Sequence, residues 1–494
     1  MTKVKRAPSL LFALLPIFLL IGLLAINVML YGGDSSYGPN QIALMLTAAF
    51  AGILSLRLGY NWEEILDGIV KSISSAMSAL LILLMIGALS GTWLISGIIP
   101  AMIYYGLEVL NPTIFLFAAC VVSAIVSLAT GSSWSTSATV GIAFIGIGQA
   151  MGIHEGVVAG AVISGAYFGD KMSPMSDTTN LAPAMAGTDL FTHIRYMALT
   201  TGPSIGITLL IFLVWGFTLT TTADIEQVQN VQDAITSKFN VSIWLFLVPA
   251  SVVFLIIKKM PALPALFIGT LLGGLAALIG QSHLINEISG ISDNALSSGY
   301  AAIVKAMFTK VSMITGNGMV DDLLSSKGME GMLNTIWLII SAMIFGGVME
   351  CSGMLKTLAH SIIKLANSTG SLIASTAATC ITFNVTASDQ YIAIVVPGRM
   401  FASTFKERGL APENLSRTLE DSGTVTSVLI PWNTCGAYQS GVLGVSTLTY
   451  LPYCFFNIIS PLMTIFFAYM NIKISRLVAP EKEIEVSVPE AVEA

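Results

Sequence analysis

Charged side chains are scarce in this chain. They make up 10% of its 494 residues, whereas 54% are hydrophobic and the mean hydropathy is +0.81. Soluble domains carry about 25% charged residues, so the composition excludes an ordinary soluble protein. Apolar runs long enough to span a bilayer recur at 10–30, 42–58, 76–99, 200–219, 243–257 and 450–469. With shorter, interrupted runs included, we expect an all-α polytopic membrane protein with about ten to twelve spans.

Several other features are missing. No basic patch suggests a nucleic-acid partner, and the net charge of -6 comes from tails and loops. The five cysteines lack metal-ligand spacing and are interpreted as small buried hydrophobic residues. Ser133 with His154 invites a hydrolase interpretation, but no nucleophile-elbow or HExxH pattern accompanies them. We therefore expect neither an enzyme nor a resident cofactor.

Polar residues are concentrated within one apolar stretch, at 169–180 (GDKMSPMSDTTN). A broken helix and ionisable side chains are each costly in hydrocarbon, so they indicate a cavity or a binding site. This pattern is typical of a transporter. The candidate ion- or substrate-binding residues here are Asp170, Asp177, Thr178, Thr179 and Asn180, with Lys171 as a possible charge partner that tunes Asp170. The alternative is that the charges only hold helices together.

Three further polar segments have the same character. Segment 131–137 (GSSWSTS) supplies Ser132 and Ser133; segments 384–390 and 419–433 occupy the corresponding places in the second half. The candidates there are Asp389, Asp421, Asn433 and the adjoining Thr434. Carboxylate, hydroxyl and carbonyl oxygens suit a hard cation, so sodium is expected at Asp170, Asp177, Asp389 and Asp421. Single hydroxyls are weak evidence, because Ser and Thr in membrane helices often bond to their own backbone.

The two halves of the chain repeat. Pro174 and Pro431 lie 257 residues apart, as do Gly187 and Gly444. Lys5 and Arg6 place the N-terminus in the cytoplasm, and Lys258 with Lys259 do the same for the loop after 257. The halves are then inverted in the membrane. We divide the chain into a first repeat (1–221), an extracytoplasmic connector (222–240), a second repeat (241–472) with an extracytoplasmic insertion (281–331), and a cytoplasmic tail (473–494).

The motifs resemble those of a known family. Segments GSSWSTSATVGIAFIGIG, GAVISGAYFGDKMSPMSDTTNLAP and AGTDLFTHIRYM in the first half, with SDQYIAIVVPGRMF and LEDSGTVTSVLIPWNTCGAYQSGVLGV in the second, are similar to the NhaC family of sodium/proton antiporters. The resemblance covers nearly the whole membrane portion. It implies re-entrant hairpins, a bacterial or archaeal cytoplasmic membrane, and sodium ion and proton as the transported partners. We also expect both termini in the cytoplasm.

The resemblance leaves the substrate open. Similar sequences exchange small organic acids, such as malate for lactate, with coupled proton and sodium movement, and this is the alternative function. An organic anion would need a cationic or amide contact, for which Lys171, Arg399, Asn180 and Asn433 are the candidates. Membrane lipid surrounds the chain in either case, and a homodimer is a further expectation that small-residue runs permit.

Overall fold

The computed structural model describes residues 5–31, 35, 37–109, 111–219, 225–291, 294–315, 321, 324–364 and 366–477. Several sequence-based predictions therefore fall partly outside the described residues. They are the start of the connector at 222–224, parts of the insertion, the tail beyond 477 and both extreme termini.

The first half of the chain folds into eleven helices. Their bounds are α1 Leu10–Tyr31, α2 Pro39–Arg57, α3 Trp62–Ser75, α4 Met77–Ile95, α5 Ile98–Val109, α6 Pro112–Thr130, α7 Ser133–Thr136, α8 Ile142–Ala150, α9 Glu155–Met172, α10 Asp177–Ala186 and α11 Leu190–Thr218. A π-helical turn, Ser137–Gly141, joins α7 to α8.

In the second half, the elements with described bounds are thirteen α-helices and one short hairpin. The helices are α12 Ile225–Lys238, α13 Leu247–Ile257, α14 Ala262–Gly280, α15 Ser282–Ser289, α16 Ala295–Phe308, α17 Gly328–Cys351, α18 Met354–Ile363, α19 Thr369–Thr386, α20 Gln390–Glu407, α21 Pro412–Leu419, α22 Thr434–Leu443, α23 Thr447–Tyr450 and α24 Phe455–Tyr469. Strands β1 (Val311–Ser312) and β2 (Ser325–Ser326) pair antiparallel. Shorter turns are the 3₁₀ segments Ile243–Phe246, Ser427–Leu429 and Leu451–Tyr453 and the π-helical segment Glu420–Thr424.

The chain is an all-α polytopic membrane protein. Seven described helices are long and apolar enough to cross a membrane, and nine if each of two bent pairs forms one span. The expected ten to twelve spans included interrupted segments, and those segments are helices such as α9 and α20. Each has 18 residues and three charged side chains, so neither is apolar enough to belong to the seven.

The outer helices present apolar side chains to lipid. On α1, for example, Phe18 is 61% and Met29 86% exposed, because this helix lies at the edge of the bundle. The side chains of α1 are apolar on nearly every face of the helix, as expected for a helix with lipid on one face and protein on the other. The buried polar residues belong instead to the centre of the molecule.

The sequence repeat is visible in the helix ends. Helices α10 and α22 both have ten residues and lie 257 residues apart along the chain. Each ends in a left-handed glycine, Gly187 and Gly444. Matching positions in the two halves therefore form equivalent helices. The opposite membrane orientation of the two halves stays a prediction.

Close packing of α6 against α9 fixes the site region. A Cβ atom on Gly169 would lie 2.3 Å from the carbonyl oxygen of Ala124, so only glycine permits this approach. Asp170 follows Gly169 directly and is thus held against the end of α6.

Candidate functional site

A cavity of about 810 Å³ lies where the interrupted helices meet. The end of α6, the break between α9 and α10, and the starts of α20 and α22 all contribute side chains to it. Three carboxylates line it, those of Asp170, Asp177 and Asp389. The predicted residues Ser132, Thr178 and Thr434 line it as well, together with Ser135, Ser176 and Gln390.

The break between α9 and α10 is built by its own polar residues. Helix α9 ends at Met172, and Ser176 caps α10 by accepting a hydrogen bond from the backbone of Thr179. The side-chain amide of Asn180 donates to the carbonyl oxygens of Pro174 (2.9 Å) and Ser176 (2.7 Å). Asn180 therefore stabilises the break, and it does not line the cavity.

Asp170 is buried and held by Ser133. Its Oδ2 atom accepts a hydrogen bond from the Ser133 backbone N–H (3.1 Å) and another from the Ser133 hydroxyl (2.7 Å). The structure thus brings the broken helix and the serine-rich segment together. Asp177 also lines the cavity but is exposed at the first turn of α10.

Asp389 supplies the matching carboxylate from the second half. It is 2% exposed, and its Oδ1 atom caps α20 by accepting from the backbone of Ile392 (3.0 Å). Ser132, which lies 257 residues earlier, caps α7 in the same way. The residue before each cap has a left-handed backbone: Gly131 at φ 70° and Ser388 at φ 61°. The repeat therefore sets two equivalent helix starts at the cavity.

Asn433 and Thr179 hold the backbone near the cavity. The Asn433 amide donates to the carbonyl oxygen (3.0 Å) and the side-chain oxygen (3.2 Å) of Asn384. The Thr179 hydroxyl donates to the carbonyl oxygens of Asp170 (3.2 Å) and Lys171 (3.0 Å). Both residues therefore lie beside the cavity in supporting positions.

Asp421 lies in a second buried cluster, apart from the cavity. It forms an ion pair with Lys171, and both side chains are fully buried. The hydroxyl groups of Thr200 (2.8 Å) and Thr464 also donate to Asp421. Lys171 donates to Ser460 as well, at 3.0 Å. Lys171 was expected to pair with Asp170; its ionic partner is Asp421 because the end of α9 packs against the second half here.

Two charged residues of this region were not singled out from the sequence. Glu420 is fully buried and accepts a hydrogen bond from the Thr178 hydroxyl at 2.9 Å. Arg417 is also buried, and its guanidinium lies 4.4 Å from the centre of the Tyr196 ring. The sequence did contain a signal for these two residues. Arg417 lies three residues before Glu420 and four before Asp421, a spacing that places oppositely charged side chains on one face of a helix.

An aromatic contact joins the two halves beside the cavity. The rings of Trp134 and Tyr438 stack with centroids 3.9 Å apart, and the Tyr438 hydroxyl donates to the Trp134 carbonyl oxygen at 3.1 Å. Trp134 also lines the cavity. Trp134 therefore forms part of the cavity wall, and Tyr438 of the second half supports it from behind.

The site chemistry suits a weakly held cation. Within the described parts of the chain, no three His, Cys, Asp or Glu side chains are grouped to hold a metal ion. The cavity offers separate carboxylates with neighbouring hydroxyls, which can bind and release a hard cation. Ser133 hydrogen-bonds Asp170, whereas His154 caps α9 through Nδ1 (3.2 Å to the Gly156 backbone), so these two residues serve different structural roles.

Comparison with known proteins agrees with this architecture. Residues 165–472 match the model of the Na+/H+ antiporter family. The chain is 37% identical to the Na(+)/H(+) antiporter NhaC of Alkalihalophilus pseudofirmus over 438 residues, which cover 89% of this chain and 91% of the relative. It is 36% identical to the arginine/ornithine antiporter ArcD of Halobacterium salinarum over 474 residues (95% and 93%). It is 35% identical to the malate-2H(+)/Na(+)-lactate antiporter of Bacillus subtilis over 432 residues (87% and 89%).

These relatives are all antiporters, and the resemblance to the NhaC family is confirmed. The family match covers more than half of the chain and includes the three cavity carboxylates and the Lys171–Asp421 pair, whereas Ser132 and Ser133 precede it. The chain belongs to the Na+/H+ antiporter family.

Proposed function

We propose that this protein exchanges sodium for protons across the cytoplasmic membrane of a bacterium or archaeon by alternating access. The observation that carries the proposal is the cavity lined by Asp170, Asp177 and Asp389. Two of these carboxylates are buried and come from different halves of the repeat. Carboxylates at depth in a membrane protein are costly, and their usual role is in an ion or proton pathway.

Sodium and protons compete for the same carboxylates. Asp170 is the first choice because Ser133 orients it and Ser132, Ser135 and Thr178 bring hydroxyl oxygens to the same cavity. An ionised carboxylate binds sodium, and its protonation removes the charge that holds the ion. Asp389 contributes from the opposite half. Asp421 has no part in this competition, because Lys171 neutralises it.

The cavity opens toward the cytoplasm. Lys259, Met260 and Pro261, which follow α13, line it. Positive residues in short loops mark the cytoplasmic side, and Lys258 with Lys259 form such a group. Alternating access then closes this side and opens the other. Both termini are placed in the cytoplasm by the same rule, with membrane lipid around the bundle and a homodimer as the proposed assembly.

The volume of the cavity favours a second candidate, exchange of a small organic ion. At about 810 Å³ the cavity is within the range of sites that hold small organic molecules. Malate/lactate exchange is the alternative named by one relative. The four residues expected to contact an organic anion do not line the cavity: Lys171 pairs with Asp421, Asn180 and Asn433 hold backbone groups, and Arg399 is exposed elsewhere. One cationic and one amide side chain do line it, Lys259 and Gln390. Three carboxylates and one exposed lysine favour a cation.

Proton movement in vesicles containing the purified protein tests the choice of substrate. With an imposed pH gradient, we expect sodium alone to dissipate the gradient, without malate, lactate, arginine or ornithine. Asp170→Asn should abolish the effect, because the amide neither ionises nor takes up a proton. Asp189→Asn is the matched control, since this exposed residue only caps α11 and asparagine also caps helices. A response that requires an added organic ion would contradict the proposal.

A further inference from the structure

Glu420 has an unusual environment for a buried acid. Its side chain is fully buried, and Thr178 donates to Oε1 at 2.9 Å. Oε2 makes no hydrogen bond to any residue that the structure describes. A buried carboxylate with an unsatisfied oxygen is costly, so such a group favours a role in which it takes up a proton. It also lies in the π-helical segment Glu420–Thr424, and π-helical turns are frequent at functional sites.

Two hydroxyl groups connect Glu420 to the cavity. The Thr178 hydroxyl, which contacts Glu420, lies 3.2 Å from the Ser176 hydroxyl. Thr178 and Ser176 both line the cavity. Because a hydroxyl can donate and accept at once, this pair can pass a proton between Glu420 and water in the cavity.

Several charged groups surround Glu420. Lys171 on α9 and Asp170 are close enough to act on its charge. Arg417 acts on the charge of Lys171, Lys171 acts on His193, and Asp421 is ion-paired with Lys171. Helices α19 and α20 also pack against this segment. Helix α19 has no charged residue, and the charged side chains of α20 are exposed: Arg399, Lys406 and Glu407.

We propose that Glu420 is a proton-carrying site separate from the cation-binding carboxylates, and that it exchanges its proton with the cavity through Thr178 and Ser176. In this step the Thr178 hydroxyl turns to accept the proton of protonated Glu420 Oε1 and gives its own proton to Ser176, and Ser176 gives one to water, which becomes hydronium. Afterwards Thr178 donates to the ionised Oε1, as it does in the structure. No bond between heavy atoms changes. Ionised Glu420 then accepts the hydrogen bond from Thr178, and it lies within the electrostatic reach of Lys171, whose direct partner is Asp421.

This proposal rests on the proposed function, because it concerns the proton half of sodium/proton exchange. It adds to the cavity carboxylates a further proton-carrying group that binds no sodium. Sodium occupies the cavity beside Asp170 and Asp389, and the protons that replace it reach this cavity through Glu420. We expect sodium binding and proton uptake to be coupled, because Asp170 and Lys171 are consecutive residues of α9. Asp170 lines the cavity, and Lys171 lies in the buried cluster with Asp421. A movement of the end of α9 therefore shifts both side chains.

Separate measurements of sodium binding and proton movement test this division. In Glu420→Gln we expect binding of radioactive sodium to the purified protein to be retained, while sodium-driven proton movement in vesicles falls about 100-fold or more. Thr178→Val, which removes the connecting hydroxyl, should slow proton movement even at saturating sodium, and Thr178→Ser should restore it. Glu350→Gln is the matched control, because Glu350 is exposed at the end of α17.

Each alternative outcome decides against the proposal. Normal proton movement in Glu420→Gln would exclude Glu420 as a proton carrier. Loss of sodium binding in the folded variant would instead place Glu420 in the cation site. If Glu420→Gln does not reach the membrane, the Thr178 pair decides, since equal rates in the Val and Ser variants would overturn the route.

Failure of the proposed function gives a different result. A wild-type protein that moves no protons on sodium addition would contradict sodium/proton exchange itself. Infrared difference spectra across a pH step then test Glu420 directly. A band from a protonated carboxyl that is absent in Glu420→Gln supports the proton site, and an unchanged band overturns it.

Discussion

The Lys171–Asp421 ion pair joins the two halves of the chain in the interior of the protein. Both side chains are fully buried, and Thr200, Ser460 and Thr464 surround them with hydroxyl groups. The pair neutralises two charges that would otherwise be isolated in a low dielectric. Its function in the structure is therefore to hold the end of α9 against the second repeat.

Removing one member of this pair should destabilise the protein. Lys171→Met leaves the Asp421 charge buried without its partner, at a cost of about 3–5 kcal/mol. The double variant Lys171→Met/Asp421→Asn should recover most of that loss, because no unpaired charge remains. Thermal unfolding in detergent measures both effects.

The control is an exposed ion pair. Lys5 and Glu64 are 2.7 Å apart with side chains 51% and 36% exposed, so Lys5→Met should leave the unfolding temperature unchanged. Losses that simply add in the Lys171/Asp421 double variant would show that the two charges do not compensate one another.

Residue types were predictable from the sequence, but their pairing was not. The polar interruptions identified Asp170, Asp389 and Asp421, because charge within an apolar run needs a reason. The pairing of Lys171 with Asp421 joins residues 250 apart in the chain, and local patterns carry no information on such contacts. Glu420 was not predicted as a site residue, because the adjacent Asp421 had already been chosen as the acidic candidate of that segment.

At the scale of helices, interruption and close approach create the site. Helix α9 must end at Met172 for Asp170 to reach Ser133, and α6 must pack tightly against α9 for that end to be fixed. Proline and serine at the break were recognisable in the sequence as helix-breaking and capping residues. The tight approach was not, since a glycine in a helix does not reveal what it contacts.

Substitution of Gly169 tests this packing. In Gly169→Ala the new Cβ would lie 2.3 Å from the Ala124 carbonyl oxygen, which forces α6 and α9 apart. We expect a loss of about 1–3 kcal/mol in unfolding free energy and weaker transport. Gly206→Ala on α11 is the matched control, because no atom lies within 4 Å of its added Cβ. Equal stability of the two variants would show that the α6–α9 contact is not tight.

At the scale of the whole molecule, corresponding elements of the two halves meet at the cavity. Equivalent helices α10 and α22, and equivalent caps at Ser132 and Asp389, bring one set of polar groups from each half. The all-α membrane fold followed from composition, and the repeat from matching residues. The number of spans was less certain from sequence, because charged helices such as α9 and α20 do not look like apolar spans.

The division into two repeats and the inverted orientation stay predictions. They are consistent with a cavity built from both halves and opening near Lys259. Alternating access requires that these two halves move relative to one another. The Trp134–Tyr438 stack lies between them and must rearrange if they do.

Proton release on sodium binding tests competition for the cavity carboxylates most directly. Sodium is added to the purified wild-type protein in weakly buffered solution, and the pH of the solution is recorded. Because sodium displaces protons from Asp170 and Asp389, we expect acidification that saturates with sodium and is lost in Asp170→Asn. Sodium binding without any release of protons would contradict the competition.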